Sequence, residues 1–372
     1  MTVNAAWNIW NFRKPLVEAL LADGHRVTIL APSDETSLRL EELGCKVRAL
    51  PMSVAGLNPV EDLLLQRRFA QAFRTLTPDI VLSYTIKNNV FGARPALAAG
   101  VPFVPNVTGL GTAFLSGKLL EQVTVQLYRR AFASLPCVFF QNADDRDLFV
   151  GHRIIREQQS RLLPGSGIDL EHFAPLPMPD PAGPQIFLMV ARLLRDKGVL
   201  EFVEAARIIK ARYPTARFQL LGALGPQNRT AIDAAMVDAW VDEGVVEYLG
   251  ITDDVRPRIA AASCVVLPSY REGAPRTMIE AAAMARPVIA TDVPGCRAVI
   301  DRDTSGFLCE VRDARSLAEA MERFLELPPE AQAAMGRAGN AKMTREYDQA
   351  LVIAAYREAI ASLTQGRSDR AT

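Results

Sequence analysis

The segment Cys264 to Ala290, CVVLPSYREGAPRTMIEAAAMARPVIA, limits what this chain can fold into more than any other. It opens on four apolar residues, the length of a buried strand, and turns through Pro268, Ser269 and Tyr270. A helix follows from near Pro275, where a proline's missing N–H costs nothing because the first helical turn has no partner for it. The helix ends before Pro287, and Val288 to Ala290 reads as the next strand. Ala281, Ala282, Ala283 and Ala285 give the helix a small face that can pack closely on a sheet. A strand, a helix and a strand in this order are the building unit of a parallel, doubly wound sheet.

The same alternation runs through the chain. In the first half it predicts helix Phe12–Ala22, strand Val27–Leu30, helix Leu38–Leu43, strand Val47–Leu50, helix Pro59–Leu76 and strand Asp79–Ser83. Helix Val90–Ala99, strand Val101–Val107, helix Gly117–Ala133 and strand Cys137–Gln141 follow. A unit starting before Ala5–Asn8 lacks a full first strand, since only Met1–Asn4 are there to form it, so that strand reads as clipped. The second half gives strand Ile186–Val190, helix Val199–Arg212, strand Arg217–Leu221, helix Asn228–Glu243, strand Val245–Leu249, helix Asp254–Ala261 and strand Cys264–Leu267. Helices Ser316–Leu327, Pro329–Thr344 and Tyr347–Ser362 come last. Between the halves lies Ala174–Gln185, with five prolines and no regular pattern, which reads as a linker.

A chain of 372 residues is too long for one ordinary core. The expected architecture is α/β, with two Rossmann-like doubly wound domains facing a cleft. Residues 1–173 form the first domain, 174–185 the linker, 186–346 the second domain, 347–363 a helix crossing back to the first, and 364–372 a frayed tail.

Composition excludes several classes of function. Lys plus Arg and Asp plus Glu balance at 42 each, which argues against a nucleic-acid binder that works through overall charge. Five scattered cysteines without a close pair fit reduced thiols and give no zinc framework, and three dispersed histidines give no metal site. No apolar run is as long as a membrane span, and Met1–Asn11 lacks the plan of a signal peptide. The expectation is a cytoplasmic protein that can touch a membrane surface.

Chemistry concentrates after two strands of the second half. Glu272 stands at a strand-to-helix crossing and Glu280 lies eight residues on, inside the helix, with the N–H groups of Gly273, Ala274 and Arg276 between them. A helix start of this kind favours anionic or hydroxyl-rich ligands. Arg192 and Lys197 follow strand Ile186–Val190, and two cations beside a helix start suit a diphosphate. In the first half, Arg67, Arg68, Arg74, Lys87, Arg94, Lys118, Arg129 and Arg130 face only Asp79 and Glu121 between Leu63 and Leu135. That excess, with the apolar stripe Leu119, Leu120, Val123, Leu127 and Phe132, would suit anionic lipid or a lipid diphosphate. The loop Thr108–Thr112 follows a strand and can present backbone groups. The tripeptides Asp145-Arg146-Asp147 and Asp301-Arg302-Asp303 match an acid-x-acid metal signature in form, but their positions read as structural.

With ARLLRDKG (Ala191–Gly198), GSGID (Gly165–Asp169), VVLPSYREG (Val265–Gly273), the pair Glu272 and Glu280, TDVPG (Thr291–Gly295) and SGFLC (Ser305–Cys309), the chain resembles the retaining glycosyltransferases of family 4. Their fold is the two-domain glycosyltransferase B (GT-B) fold. The first-half segments NIWNFRKPLVEAL, GLNP, KNNVFGARPALAAG and TGLGTAF are most similar to bacterial enzymes that add N-acetylgalactosamine or galactose to undecaprenyl-diphosphate-linked saccharides. The resemblance implies that Arg192 and Lys197 hold the donor diphosphate, Glu280 the ribose hydroxyls and Glu272 the donor sugar, with the N–H groups of Gly273 and Ala274 nearby. It also implies a UDP-sugar donor, retention of anomeric configuration, no cofactor and no metal. The acceptor, a lipid-linked saccharide, is expected near Asn8, Lys87, Thr108 and Gly109, at the cytoplasmic face of the inner membrane. Ala5-Ala6-Trp7 stands where many relatives have a glycine-rich loop, and Thr108 stands near the place of a histidine. Two alternatives remain open, a nucleotide-sugar epimerase of the same fold and a silent nucleotide-sugar-binding subunit. A dehydrogenase is disfavoured because no G-x-G-x-x-G follows a strand.

Overall fold

The computed structural model describes residues 1–53, 58–110, 118–225 and 230–368. The chain forms two compact units, one made of Met1–Gly167 with Gln349–Thr372 and the other of Ile168–Asp348.

In the first unit short strands alternate with helices: α1 (Ala6–Ala22), β1 (Thr28–Ala31), α2 (Thr36–Glu42), β2 (Lys46–Ala49), α3 (Pro59–Leu76), β3 (Val81–Tyr84), α4 (Ile86–Ala98), β4 (Phe103–Val107), α5 (Lys118–Phe132), β5 (Val138–Phe140), α6 (Ala143–Gly151) and β6 (Ser160–Leu162). The pairs β1 with β2, β3 with β4, β4 with β5 and β5 with β6 are all parallel. Thr2 joins the two groups, bridging Leu30 on one side and Ser83 on the other. Its N–H donates to the Leu82 carbonyl at 2.9 Å, and its own carbonyl accepts from the Tyr84 N–H at 2.9 Å. The central strand, read as clipped in the sequence, is one residue wide, and the sheet is nonetheless continuous through it.

Helix α1 starts six residues before the expected Phe12, which places Asn8 inside the helix rather than in a turn. The face it buries is Ala6, Ile9, Arg13, Leu16, Val17 and Leu20. Arg13 hides this stripe in the sequence, because a cation at a core position breaks the apolar period. Its guanidinium lies 4.8 Å from the centre of the Tyr84 ring, whose face offsets part of the cost of burying the charge. The C-terminal helix, Gln349–Ser368, completes this unit. Tyr356 is fully buried, and its hydroxyl accepts from Asn106 Nδ2 at 3.0 Å. Arg357 pairs with Asp23 at 2.7 Å.

The second unit contains β7 (Ile186–Val190), α7 (Val199–Arg212), β8 (Arg217–Leu221), α8 (Ala234–Asp242), β9 (Glu247–Tyr248), α9 (Arg256–Ala261), β10 (Cys264–Leu267), α10 (Arg276–Ala283), β11 (Val288–Thr291), α11 (Pro294–Val299), β12 (Gly306–Cys309), α12 (Ala314–Leu325) and α13 (Pro329–Glu346). All neighbours are parallel, in the order β12-β11-β10-β7-β8-β9. The chain moves outward from β7 to β9, then returns to the other side of β7 to lay down β10, β11 and β12. The order therefore reverses between β7 and β10, and the carboxyl ends of the strands at such a reversal are where open parallel sheets bind ligands.

The proline-rich segment 174–185 is not where the chain leaves one unit for the other. The division falls between Gly167 and Ile168, and Ile168 and Phe173 are already buried in the core of the second unit. Arg286, 1% exposed, holds the segment in place. Its guanidinium donates to the carbonyls of Leu176, Pro177 and Ala260 at 2.7–2.8 Å and to that of Met284 at 3.2 Å. A buried guanidinium needs acceptors, and two backbone carbonyls of this segment join those of Ala260 and Met284 in supplying them. Helix α8 begins at Ala234, capped by the side chain of Asp233; the expected start, Asn228, lies outside the described residues.

Candidate functional site

The loops after β7 and β10 flank the reversal point of the second unit and are stitched together by their backbones. The Tyr270 N–H donates to the Asp196 carbonyl at 2.9 Å, and Ser269 Oγ donates to the same oxygen at 3.2 Å. Thr291 Oγ1, at the end of β11, donates to the Ser269 carbonyl. Thr277 Oγ1, in the first turn of α10, donates to the carbonyl of Val190 at 3.0 Å. Gly198 allows the closest approach. Its φ is +77°, and a Cβ there would lie 2.0 Å from the Pro268 carbonyl oxygen. From the third side, the N–H of Gly295 in α11 donates to the Glu272 carbonyl at 3.2 Å. The motifs Ala191–Gly198, Leu267–Gly273 and Thr291–Gly295 are thus one packed assembly.

Within it, Lys197 Nζ donates to Glu272 Oε1 at 2.5 Å. The two side chains are 25% and 12% exposed, so the pair is partly shielded from water and from screening by salt. One turn into α10, Arg276 Nε donates to Glu280 Oε1 at 2.7 Å. Glu280 is 8% exposed. Burial pushes its carboxyl above the usual value, and the Arg276 guanidinium opposes that rise. Arg192 stands at the mouth, exposed, and among the described residues its guanidinium has no hydrogen-bonding or ionic partner. Gly273 and Ala274 form the bend before Pro275, which caps α10 in an extended conformation instead of entering its first turn. The structure therefore brings Lys197 into contact with Glu272, with Gly273 and Ala274 next in the chain, Glu280 on the helix that follows, and Arg192 at the end of the neighbouring strand.

The sequence reading did not pick out the side chains of Arg276 and Tyr270. For Arg276 the signal is there, since Arg and Glu four apart on a helix form a side-chain pair. The Tyr270 hydroxyl donates to Glu201 Oε1 at 2.7 Å, and the Arg312 guanidinium lies 4.6 Å from the centre of its ring. Burial, followed by the hydrogen bond to Glu201, raises the Tyr270 phenol above its ordinary value, so it remains a donor. No local sequence pattern links Tyr270 to Glu201, which is 69 residues away.

In the first unit, Asn8, Lys87, Thr108 and Gly109 follow three neighbouring strand positions, Thr2, β3 and β4. They share the carboxyl edge of that sheet. Lys87 is not a free cation there. It pairs with Asp62 at 3.2 Å, with both side chains mostly buried. Asp62 lies one residue outside the stretch whose charge excess the sequence suggested. Arg68 likewise faces Glu61 at 3.8 Å. Arg67, Arg94 and Arg130 are exposed and have no ionic partner among the described residues. On α5, Phe132 is core and Leu127 packs against it, while Val123 is exposed. Gly56, Leu57 and the stretch 111–117 lie outside the described residues, as do the side chains of Lys118, Leu119 and Leu120.

The acid-x-acid tripeptides serve the fold. Asp145 is buried, and its N–H donates to Asn142 Oδ1 at 2.8 Å in the cap of α6. Asp301 pairs with the buried Lys342 at 2.6 Å, and Asp303 with Arg323 at 2.8 Å. Among the described residues no group of three His, Cys, Asp or Glu is placed to hold a metal ion. All five cysteines are buried and unpaired.

Comparison with known proteins matches residues 184–327 to the family model "Glycosyl transferases group 1" and residues 10–165 to "Glycosyl transferase 4-like domain". The chain is 29% identical over 339 residues to N,N'-diacetylbacillosaminyl-diphospho-undecaprenol alpha-1,3-N-acetylgalactosaminyltransferase of Campylobacter jejuni, covering 87% of this chain and 88% of that relative. It is 28% identical over 338 residues to UDP-Gal:alpha-D-GlcNAc-diphosphoundecaprenol alpha-1,3-galactosyltransferase of Escherichia coli, covering 82% and 86%. Among solved structures, a glycosyltransferase from Rickettsia africae superposes with a TM-score of 0.76 at 17% identity, over 98% of this chain and 97% of that one. Anabaena HepE in complex with UDP and glucose gives 0.76 at 18% identity, over 97% and 98%.

Proposed function

We propose, from the premise that the chain belongs to the family 4 glycosyltransferases, that it transfers a hexose or N-acetylhexosamine from a UDP-sugar, with retention, to a saccharide carried on a lipid diphosphate. The observation that carries this reading is the Lys197–Glu272 pair at the strand-order reversal, with Glu280 one helix further on and Arg192 beside it. In this reading Arg192 and Lys197 take the donor diphosphate. Charge grows on that group as the bond from the anomeric carbon to the phosphate oxygen breaks, and preset cations stabilise it. Glu272, oriented by Lys197, accepts hydrogen bonds from the sugar hydroxyls beside the Gly273 and Ala274 backbone, while Glu280 accepts from the ribose. The acceptor hydroxyl attacks on the face the diphosphate leaves. The new bond to carbon forms there, and the hydroxyl proton passes to the departing phosphate oxygen. No metal or cofactor is assigned a role.

Support for a lipid-linked acceptor comes from the Campylobacter and Escherichia relatives, both named for undecaprenol diphosphate substrates. On the acceptor side the reading keeps Asn8, Thr108 and Gly109, with Lys87 acting through its pair with Asp62. No helix among the described residues is long and apolar enough to cross a membrane. The reading includes peripheral contact at the inner face. The exposed Val60, Leu63, Arg67 and Arg74 of α3 recur at helical spacing on one side and offer apolar and cationic groups together.

The test is to incubate the purified protein with UDP-sugars and lipid-linked saccharides and measure transfer and the anomeric configuration of the product. Lys197→Ala and Glu272→Ala should each remain folded and lose about 10²–10³-fold in turnover. Full activity in both variants, an inverted product, or release of an epimerised sugar without acceptor would overturn the reading.

A further inference from the structure

Glu280 is a carboxylate set deep in the second unit, 8% exposed, on a helix otherwise lined with Met278, Ile279, Ala281, Ala282 and Ala283 in the core. A charge in such a place is stable only when paired. The partner is Arg276, one turn earlier on the same face, whose Nε meets Glu280 Oε1 at 2.7 Å. Arg276 is itself 30% exposed, so it joins the buried carboxylate to the open side of the site. A carboxylate has about four acceptor positions, and one N–H donor leaves room for two ligand hydroxyls.

We propose that Arg276 is a positioning residue that fixes the Glu280 carboxylate for ribose, and so sets the preference of the site for nucleotides that carry both ribose hydroxyls. This rests on the reading of Glu280 as the ribose acceptor. Without Arg276, the carboxylate is free to turn to other rotamers, and the burial that already raises its affinity for a proton acts unopposed. A protonated or misdirected carboxyl accepts hydroxyls poorly. Nothing in this effect touches the diphosphate, which other residues take.

The experiment is isothermal titration of wild type, Arg276→Gln, Arg276→Lys and Glu280→Gln with UDP and with 2′,3′-dideoxy-UDP. Two hydrogen bonds to a charged acceptor predict that wild type prefers UDP by about 10²-fold. Glu280→Gln should bring the preference down to within about threefold, and Arg276→Gln to within about tenfold, with dideoxy-UDP affinity unchanged in both. Arg276→Lys, which keeps the charge, should fall between Arg276→Gln and wild type. A merely structural role would weaken both ligands alike. If Arg276→Gln keeps the wild-type preference, or loses affinity for both ligands equally, while Glu280→Gln collapses it, the role of Arg276 is refuted and the donor site stands. If wild type shows no preference, or Glu280→Gln retains it, the ribose reading itself fails and this inference with it.

Discussion

Replacing Gly198 by alanine tests whether the packing of the β7 and β10 loops sets the distance between the two groups assigned to the donor. The new Cβ would lie 2.0 Å from the Pro268 carbonyl oxygen, whereas carbon and oxygen settle at about 3.3 Å, so one turn must retreat by roughly 1.3 Å. Lys197 precedes Gly198 and Glu272 lies four residues beyond Pro268, so this retreat acts on the 2.5 Å Lys197–Glu272 contact and stretches it past about 3.5 Å. A misplacement of this size costs about 10²-fold in transfer rate. Alanine at the residue's φ of +77° adds about 1–2 kcal/mol of backbone strain. Gly244→Ala separates the two effects, because Gly244 has a φ of +74° and open space around its Cβ position. The assay is kcat/KM for the donor with thermal unfolding in parallel. Gly244→Ala should lose stability and keep its rate, and Gly198→Ala should lose both. A Gly198→Ala enzyme within about threefold of wild-type kcat/KM would refute the argument that this contact sets the geometry.

Three further outcomes follow from other contacts. The Glu280 carboxyl has a folded pKa above its ordinary 4.5, so the stability it contributes is present below that value and is lost as pH rises through the folded one. In the proposed reading its charged form accepts the ribose hydroxyls, so UDP affinity measured by titration should weaken on acidification while the pH is still above 4.5, and Glu280→Gln should remove that dependence. Arg286→Met leaves the carbonyls of Leu176, Pro177 and Ala260 without their donor, while that of Met284 keeps the Leu176 N–H, and should cost about 3 kcal/mol, read as a lower denaturant midpoint with an unchanged slope. Arg67→Glu with Arg74→Glu should reduce sedimentation with anionic vesicles at least about tenfold and leave binding to neutral vesicles unchanged.

Where local signals agreed, the sequence was enough. Strands β7, β8 and β10 and helices α3 and α7 have the expected bounds, because each is an apolar or periodic run closed by turn residues or a cap. In α3, Pro59 opens the helix, and Asn58 accepts from the N–H groups of Val60 and Glu61. The placement of the candidate residues was legible for the same reason. Arg192, Lys197, Glu272 and Glu280 sit at fixed offsets from recognisable strand ends, and the parallel sheet brings those ends together. What escaped the reading depends on partners distant in sequence or on a polar group in an apolar place. Arg13 conceals the inner face of α1, and Arg286 ties down a segment whose composition is that of a linker. Asp62 neutralises Lys87 from just outside the stretch used to count charge. Strands β6 and β12 and helix α11 have six residues or fewer, too few for a period to show.

The second unit is one unbroken run of chain, Ile168–Asp348, whereas the first is closed only by the helix Gln349–Ser368. During synthesis, then, the unit that begins second is finished first. Phe139 and Tyr84, whose ring centres lie 4.8 and 6.3 Å from that of Tyr356, go uncovered until the end. The wait spans about 180 residues, roughly ten to forty seconds at 5–20 residues per second. A nascent chain that stalls or is cut before Gln349 leaves a finished second unit attached to a first whose aromatic core is open to water.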